Sequence, residues 1–321
     1  MLSDNVHDTS LPQELVDLVV DFLDEDPPSL RACALAGRCF LQRCRMHLFR
    51  TVQFTDDTSS RRFLPLLLSP HIPPLVKEIL VVGSGPTTTS QWITADDILS
   101  SMLDSFVNVE AVRILSCRFG SVTTIQKLRT LSSKAINMLR LDMLQFECTG
   151  DFFSLLQYFP SLRHLLLGSV YVRLNERHPV SHSQPVLLET LEVPFHLSLT
   201  SVPTVGLLLD PESPIVLSHL KSLRIARLSL NDLPIIKSLV EAPRTMLVDL
   251  FLGPIRMVSA NELGLIIHPT VLPLYHLRVL QIQISDGCFT PPAIQVVDKC
   301  LPDERTGLVS RRRHYWTAAR R

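Results

Sequence analysis

The chain reads as an α/β protein: an N-terminal three-helix unit packed on a stacked array with parallel strands inside and helices outside. Two observations predict the array. A short phrase, apolar-x-x-apolar-x-apolar, recurs nine times, and its copies start 27, 33, 27, 26, 26, 32, 27 and 30 residues apart. A nearly fixed period in this range marks stacked units, none of which can bury its own apolar face. A third observation sets the beginning apart: residues 11–48 carry helical periodicity and precede the first phrase at Phe49.

Residues 1–10 are polar and acidic and read as a disordered N-terminus. The helical unit spans 11–50. Pro12 suits the first position of a helix, and Glu14 just inside faces the helix dipole. Leu15, Leu18, Val19, Phe22 and Leu23 then form the stripe of one helical face, with Asp17 and Asp21 on the other side. Asp24-Glu25-Asp26-Pro27-Pro28 stops that helix. Ser29 can cap the next, through Leu30, Cys33, Ala34 and Ala36. A third short helix covers Phe40 to His47. Three helices in some forty residues give a core too small to be very stable alone.

Leu11-Pro12-x-Glu14-Leu15, then Val19 and Leu23, then Asp26-Pro27-Pro28-Ser29-Leu30, Ala36-Gly37-Arg38-Cys39-Phe40 and Leu48-Phe49, resemble the divergent F-box of large fungal families. The resemblance implies a three-helix motif that docks on the Skp-type adaptor of a cullin–RING ubiquitin ligase. Carried over residue by residue, the implied contacts are Leu11, Pro12, Leu15, Val19, Leu30, Ala36 and Phe40. The family often has a β-branched residue, a Ser and a Trp where this chain has Ala36, Gly37 and Phe40. A second reading makes residues 11–49 a helical cap over the first repeat, since an open end would expose core. A cap would bury Leu15, Val19 and Phe40. A docking surface would leave them partly uncovered.

The array spans 51–303. Its phrases are Phe49/Val52/Phe54, Val76/Ile79/Val81, Val109/Val112/Ile114, Ile136/Leu139/Leu141 and Leu162/Leu165/Leu167. They continue as Leu188/Leu191/Val193, Leu220/Leu223/Ile225, Leu247/Leu250/Leu252 and Leu277/Leu280/Ile282. The last two apolar positions of each alternate with outward residues at the strand period. Helices or turns are expected between them, at Ala95–Phe106, Val122–Leu131, Phe152–Phe159, Ile235–Val240 and Pro292–Cys300. The pattern resembles degenerate leucine-rich repeats; Ser116-Cys117 and Cys148 stand near the turn, and the family's Asn is mostly missing. Longer spacings place loops at Ser84–Gln91 and Ser198–Pro214, with a third irregular stretch at Arg173–Pro185.

The middle outward position of each strand forms a column: Gln53, Leu80, Arg113, Arg140, Leu166, Glu192, Arg224, Phe251, Gln281. Neighbouring strands lie roughly 4.8 Å apart, so Arg113 and Arg140 stack as like charges. Asp142 on the same strand could compensate them, or an acidic segment of a bound protein could. Arg113, Arg140, Leu166, Glu192, Arg224 and Phe251 are therefore the candidate substrate-binding residues.

Composition excludes several classes. Apolar residues make up 46% and charged residues 19%, with zero formal net charge. That gives no bulk argument for nucleic acid or an anionic membrane. Charge is segregated locally: residues 1–30 hold eight acidic groups and no Lys or Arg, residues 31–50 five Arg and no acid. No stretch approaches a membrane span, and no signal-peptide run opens the chain. The seven cysteines form no C-x-x-C pair and read as packed thiols of an intracellular protein, cytoplasmic or nuclear. Gly83-Ser84-Gly85-Pro86 lacks the Lys of a phosphate loop. His178 and His182 are spaced for a metal, but Pro179 opposes a helix there. No catalytic site, cofactor or metal is expected. Residues 304–321 form a basic tail.

The expected whole is a non-catalytic ligase adaptor, with the helical unit on a Skp-type subunit and the repeats on a protein substrate. The rival is a ligase-independent repeat scaffold.

Overall fold

The computed structural model describes residues 11–55, 57–83, 103–119, 128, 135–173, 185–193, 202–226, 233–243, 246–256, 277–285 and 293–296. It is a mixed α/β chain built on one large, mainly parallel sheet.

Residues 11–50 form three helices, α1 (Gln13–Asp21), α2 (Pro27–Ala36) and α3 (Arg38–Leu48). Pro12 sits one residue before the helix, at the cap, rather than in its first turn. Asp26, not Ser29, caps α2: its carboxylate accepts from the Ser29 amide at 3.3 Å and the Ser29 hydroxyl at 2.5 Å. The reason is Pro27 and Pro28, which lack amide protons and so fit the first two helical positions. Gly37 is extended and separates α2 from α3.

Val20, Leu30 and Cys44 close the core of this unit, with Leu23, Cys33, Ala34, Phe40 and Leu48 packed around them. The apolar stripe read on α1 is mostly exposed, and a different edge turns inward. Its buried residues are Val16 and Val20, while Leu15, Leu18, Val19 and Phe22 are exposed. Polar anchors explain which edge turns inward. Gln13 Nε2 donates to the Cys39 carbonyl at 3.0 Å. Asp21 accepts from Arg43 Nε and Nη2, each at 2.6 Å, and lies 2.7 Å from His47 Nε2. These residues share an edge of α1 with Val16 and Val20, so that edge faces α3.

The nine phrases become nine parallel strands in chain order: β1 (Thr51–Phe54), β2 (Glu78–Val82), β3 (Ala111–Leu115), β5 (Met138–Asp142), β7 (His164–Leu167), β10 (Thr190–Val193), β12 (Ser222–Ile225), β13 (Asp249–Arg256) and β14 (Val279–Ser285). The register follows the phrase. Val52, Ile79, Val112, Leu139, Leu165, Leu191, Leu223, Leu250 and Leu280 pair in succession across the sheet. The phrase also dictates how each strand starts. The carbonyls of Arg50, Lys77, Glu110, Asn137, Arg163, Glu189, Lys221 and Val248 each accept two amides from the next strand.

A second row of short strands follows the first. β4 (Arg118–Phe119), β6 (Leu144–Phe146) and β8 (Val170–Val172) pair in parallel, and so do β9 (Val186–Leu187) and β11 (Ile215–Val216). The turns into β4 and β6 need left-handed backbone at Ser116 (φ 54°) and Met143 (φ 51°). Apolar side chains between the rows and the outer helices form one continuous core. Phe119 stacks on Phe146 at 5.0 Å, and Phe152 meets Phe146 edge-on at 5.4 Å.

The outer helices are α4 (Asp57–Leu67), α5 (Thr149–Gln157), α6 (Val202–Leu207) and α7 (Leu233–Glu241). α5 and α7 fulfil the expectation at Phe152–Phe159 and Ile235–Val240. Cys148 caps α5, its sulfur accepting from the Asp151 amide at 3.4 Å. Two expectations are corrected. Part of the Ser198–Pro214 insertion is α6, and Val205, Leu207 and Leu208 are buried there, because their apolar side chains fit the sheet's outer layer. Within Pro292–Cys300, residues Ala293–Val296 form β15, antiparallel to β14. The open ladder of β14 offers pairing that β-branched Ile294 and Val296 accept more readily than helix. Ser84–Gln91, residues 174–184 and most of Ala95–Phe106 and Val122–Leu131 lie outside the described residues, although Leu103, Phe106 and Leu128 are buried.

Chain passes from α3 into β1 through Phe49 and Arg50, and the Arg50 carbonyl is already part of the ladder. The apolar clusters of the helical unit and of the sheet are separate.

Candidate protein-docking surfaces

Two surfaces stand out. The first is on α1. Val19 (52%) and Leu15 (48%) are half out of the fold, and Phe22 (81%) is almost wholly so. Leu11 and Leu18 are also exposed, as is Leu35 on α2. Apolar side chains arrayed this way on one helical unit form a contiguous kind of patch that soluble proteins rarely leave bare without a partner. Of the residues that the resemblance assigns to adaptor contact, Leu11, Pro12, Leu15, Val19 and Ala36 are exposed. Leu30 is not: at 1% exposure it closes the core. Phe40 is half-buried against that core. Leu30 and Phe40 therefore hold the helices that display the patch. Leu18, Phe22 and Leu35 were missed. The available signal was the width of the apolar arc on α1, wide enough to supply both a buried edge and an exposed one.

The acidic end of α1 is fixed by the same anchors. The Arg43 guanidinium, and then His47, hold the Asp21 carboxyl down at about 2. Ser29 donors lower Asp26 as well. Burial raises the Cys44 thiol, so it is a poor nucleophile. Cys33 and Cys148 are half-buried and Cys117 is buried, as packed thiols should be; Cys39 is exposed, contrary to that expectation, because it lies in the first turn of α3 on the solvent side.

The second surface is the face of the sheet opposite the core. Its column follows the predicted order: Gln53, Leu80, Arg113, Arg140, Leu166, Glu192, Arg224, Phe251 and Gln281 are register neighbours. Gln53 and Arg224 are exposed and the others half-buried. Glu192 lies beside Arg224, and Phe251 beside Arg224 on the next strand. The Arg113–Arg140 neighbours are compensated unequally. Glu78 makes an ion contact with Arg113 Nε. This partner was missed; it sits diagonally across the ladder, two residues before Leu80, which is within reach of a long side chain. Asp142 Oδ2 lies 3.7 Å from Arg140 Nη2.

Asp142 has another task. Its Oδ1 accepts from the Ser169 amide at 3.2 Å, fixing the turn into β8. A side chain at Gly168 would collide with that carboxylate, which is why a glycine is needed there. At the strand starts, charges alternate instead: Lys77 pairs with Glu110 at 2.5 Å, and Glu189 bridges Arg163 and Lys221. Lys221, then Arg163, lower the Glu189 carboxyl. On the second row, Glu147 joins Arg118 at 2.8 Å and Arg173 at 2.9 Å.

Among the described residues no group of three or more His, Cys, Asp or Glu is placed to hold a metal ion, and no helix is long and apolar enough to cross a membrane. His178 and His182 lie outside the described residues, as do Cys288, Cys300 and the basic tail. Compared with known proteins, the chain matches no family model, and no curated protein matches it significantly.

Proposed function

We propose that this chain is a substrate-recognition adaptor of a cullin–RING ubiquitin ligase. Residues 11–50, which resemble an F-box, dock on the Skp-type subunit. The sheet that follows, read as degenerate leucine-rich repeats, holds a protein substrate. The chain itself performs no covalent chemistry. It raises the effective concentration of substrate lysines near a charged conjugating enzyme.

One observation supports this reading most: Leu11, Leu15, Leu18, Val19 and Phe22 are exposed on α1, while the unit's own core uses Val16, Val20, Leu30 and Cys44. A helical cap would turn Leu15 and Val19 onto the first strands. Here they point away, and the cores of the two parts are distinct. A pull-down with a purified Skp-type adaptor tests the proposal. The intact chain should be retained, and a Leu15→Asp, Val19→Asp double variant with an unchanged circular dichroism spectrum should not. No retention of the intact, folded chain would leave a ligase-independent scaffold.

A further inference from the structure

Among the described residues, Arg140 on the sheet face is incompletely paired. Arg113 and Arg140 are register partners on β3 and β5, and like charges so placed repel unless each is compensated. Arg113 has Glu78. Arg140 has only the 3.7 Å contact to Asp142 among the described residues, too long for a hydrogen bond. Asp142 is not free to close that gap, because the Ser169 amide holds its carboxylate over Gly168. Among the described residues, the Nε of Arg140 is buried without a hydrogen-bond partner, a state that proteins avoid unless something completes it. The flanking side chains are apolar. Met138 is two residues away on the same face and exposed, and Leu166 is the register neighbour of Arg140.

We propose that Arg140 anchors the carboxylate of a Glu or Asp side chain in an extended segment of a bound protein, with apolar residues of that segment lying on Met138 and Leu166. The proposal rests on the reading that the sheet face holds a protein substrate, and it names the chemistry of the contact. A carboxylate fits better than a phosphate. One open guanidinium matches one negative charge, and a second charge would face Asp142 and Glu78 close by.

Fluorescence anisotropy with the full chain and short synthetic peptide pools tests it. Each pool varies Leu, Phe, Ser and Ala around a fixed central Glu, Gln, phosphoserine or Lys. The Glu pool should bind about tenfold tighter than the Gln and Lys pools, the gain expected of one charge-assisted contact. Arg140→Gln should abolish that preference, Arg140→Lys should weaken it, and Arg163→Gln, a cation outside the column that already pairs with Glu189, should leave it intact. Thermal melting checks that each variant is folded; if Arg140→Gln is not, the Arg140→Lys and Arg163→Gln pair decides. Equal binding of Glu and Gln pools, tightest binding of phosphoserine, no binding of any pool, or a preference that survives loss of Arg140 would overturn the proposal. Adaptor capture by the same preparations separates the two failures: capture without a Glu preference overturns the anchor and leaves the ligase reading standing.

Discussion

Asp21 accepts both hydrogen bonds of the Arg43 fork and lies against His47, and so sets which edge of α1 faces α3. Its carboxyl is lowered from 3.8 to about 2 by those partners. The unfolded chain therefore binds the proton more readily than the folded one, so the contribution is present above the unfolded value and is lost as pH falls through the folded one. The helical unit should open between about pH 4 and pH 2, seen as faster hydrogen exchange in residues 13–48. Asp21→Asn should remove that acid dependence and speed exchange at pH 7. Gly168 is a second single-residue determinant. Gly168→Ala sets a methyl group against the Asp142 carboxylate and should cost about 1–3 kcal/mol, measured by urea unfolding.

At the scale of elements, α1 has two apolar edges, one buried in the core of the helical unit and one exposed. Leu15→Asp with Val19→Asp should change stability by no more than about 0.5 kcal/mol per site, because both are exposed. Val20→Asp buries an unpaired charge in the core and should unfold the helical unit. Thermal and urea unfolding separate the two outcomes. In the sheet, Leu139→Ala opens a cavity in the fully buried core and should cost roughly 2–5 kcal/mol. Which elements the sequence disclosed follows from this difference. The nine strands were legible because each phrase repeats the same burial at the same spacing, and the register needed nothing more. The inward edge of α1 was not, since an apolar arc this wide does not say which edge turns inward; Gln13, Asp21 and Arg43 decide it through contacts 22 to 26 residues apart. Asp26 replaced Ser29 as cap because two prolines moved the helix start. Residues 293–296 joined the sheet because the last parallel strand offered a free ladder, which local sequence does not reveal. On the candidate surfaces, the column on the sheet was readable from strand alternation, whereas Glu78 as the partner of Arg113 required the neighbouring strand.

At the scale of the molecule, a small helical unit with its own core meets a long sheet through a two-residue connection. The Arg50 carbonyl, bonded to Lys77 and Glu78, ties that connection into the first pair of strands. In an adaptor this joint sets where a substrate sits relative to the ligase, and a loose one would dilute the effective concentration. The central claim is that the exposed edge of α1 is a docking face. Calorimetric titration of the intact chain with a purified Skp-type adaptor tests it most directly. Saturable one-to-one binding is expected, which Leu15→Asp, Val19→Asp should weaken at least about a hundredfold, a loss of roughly 2.7 kcal/mol, with the fold intact. Absence of binding by the folded chain, or binding that the double variant leaves unchanged, would contradict it.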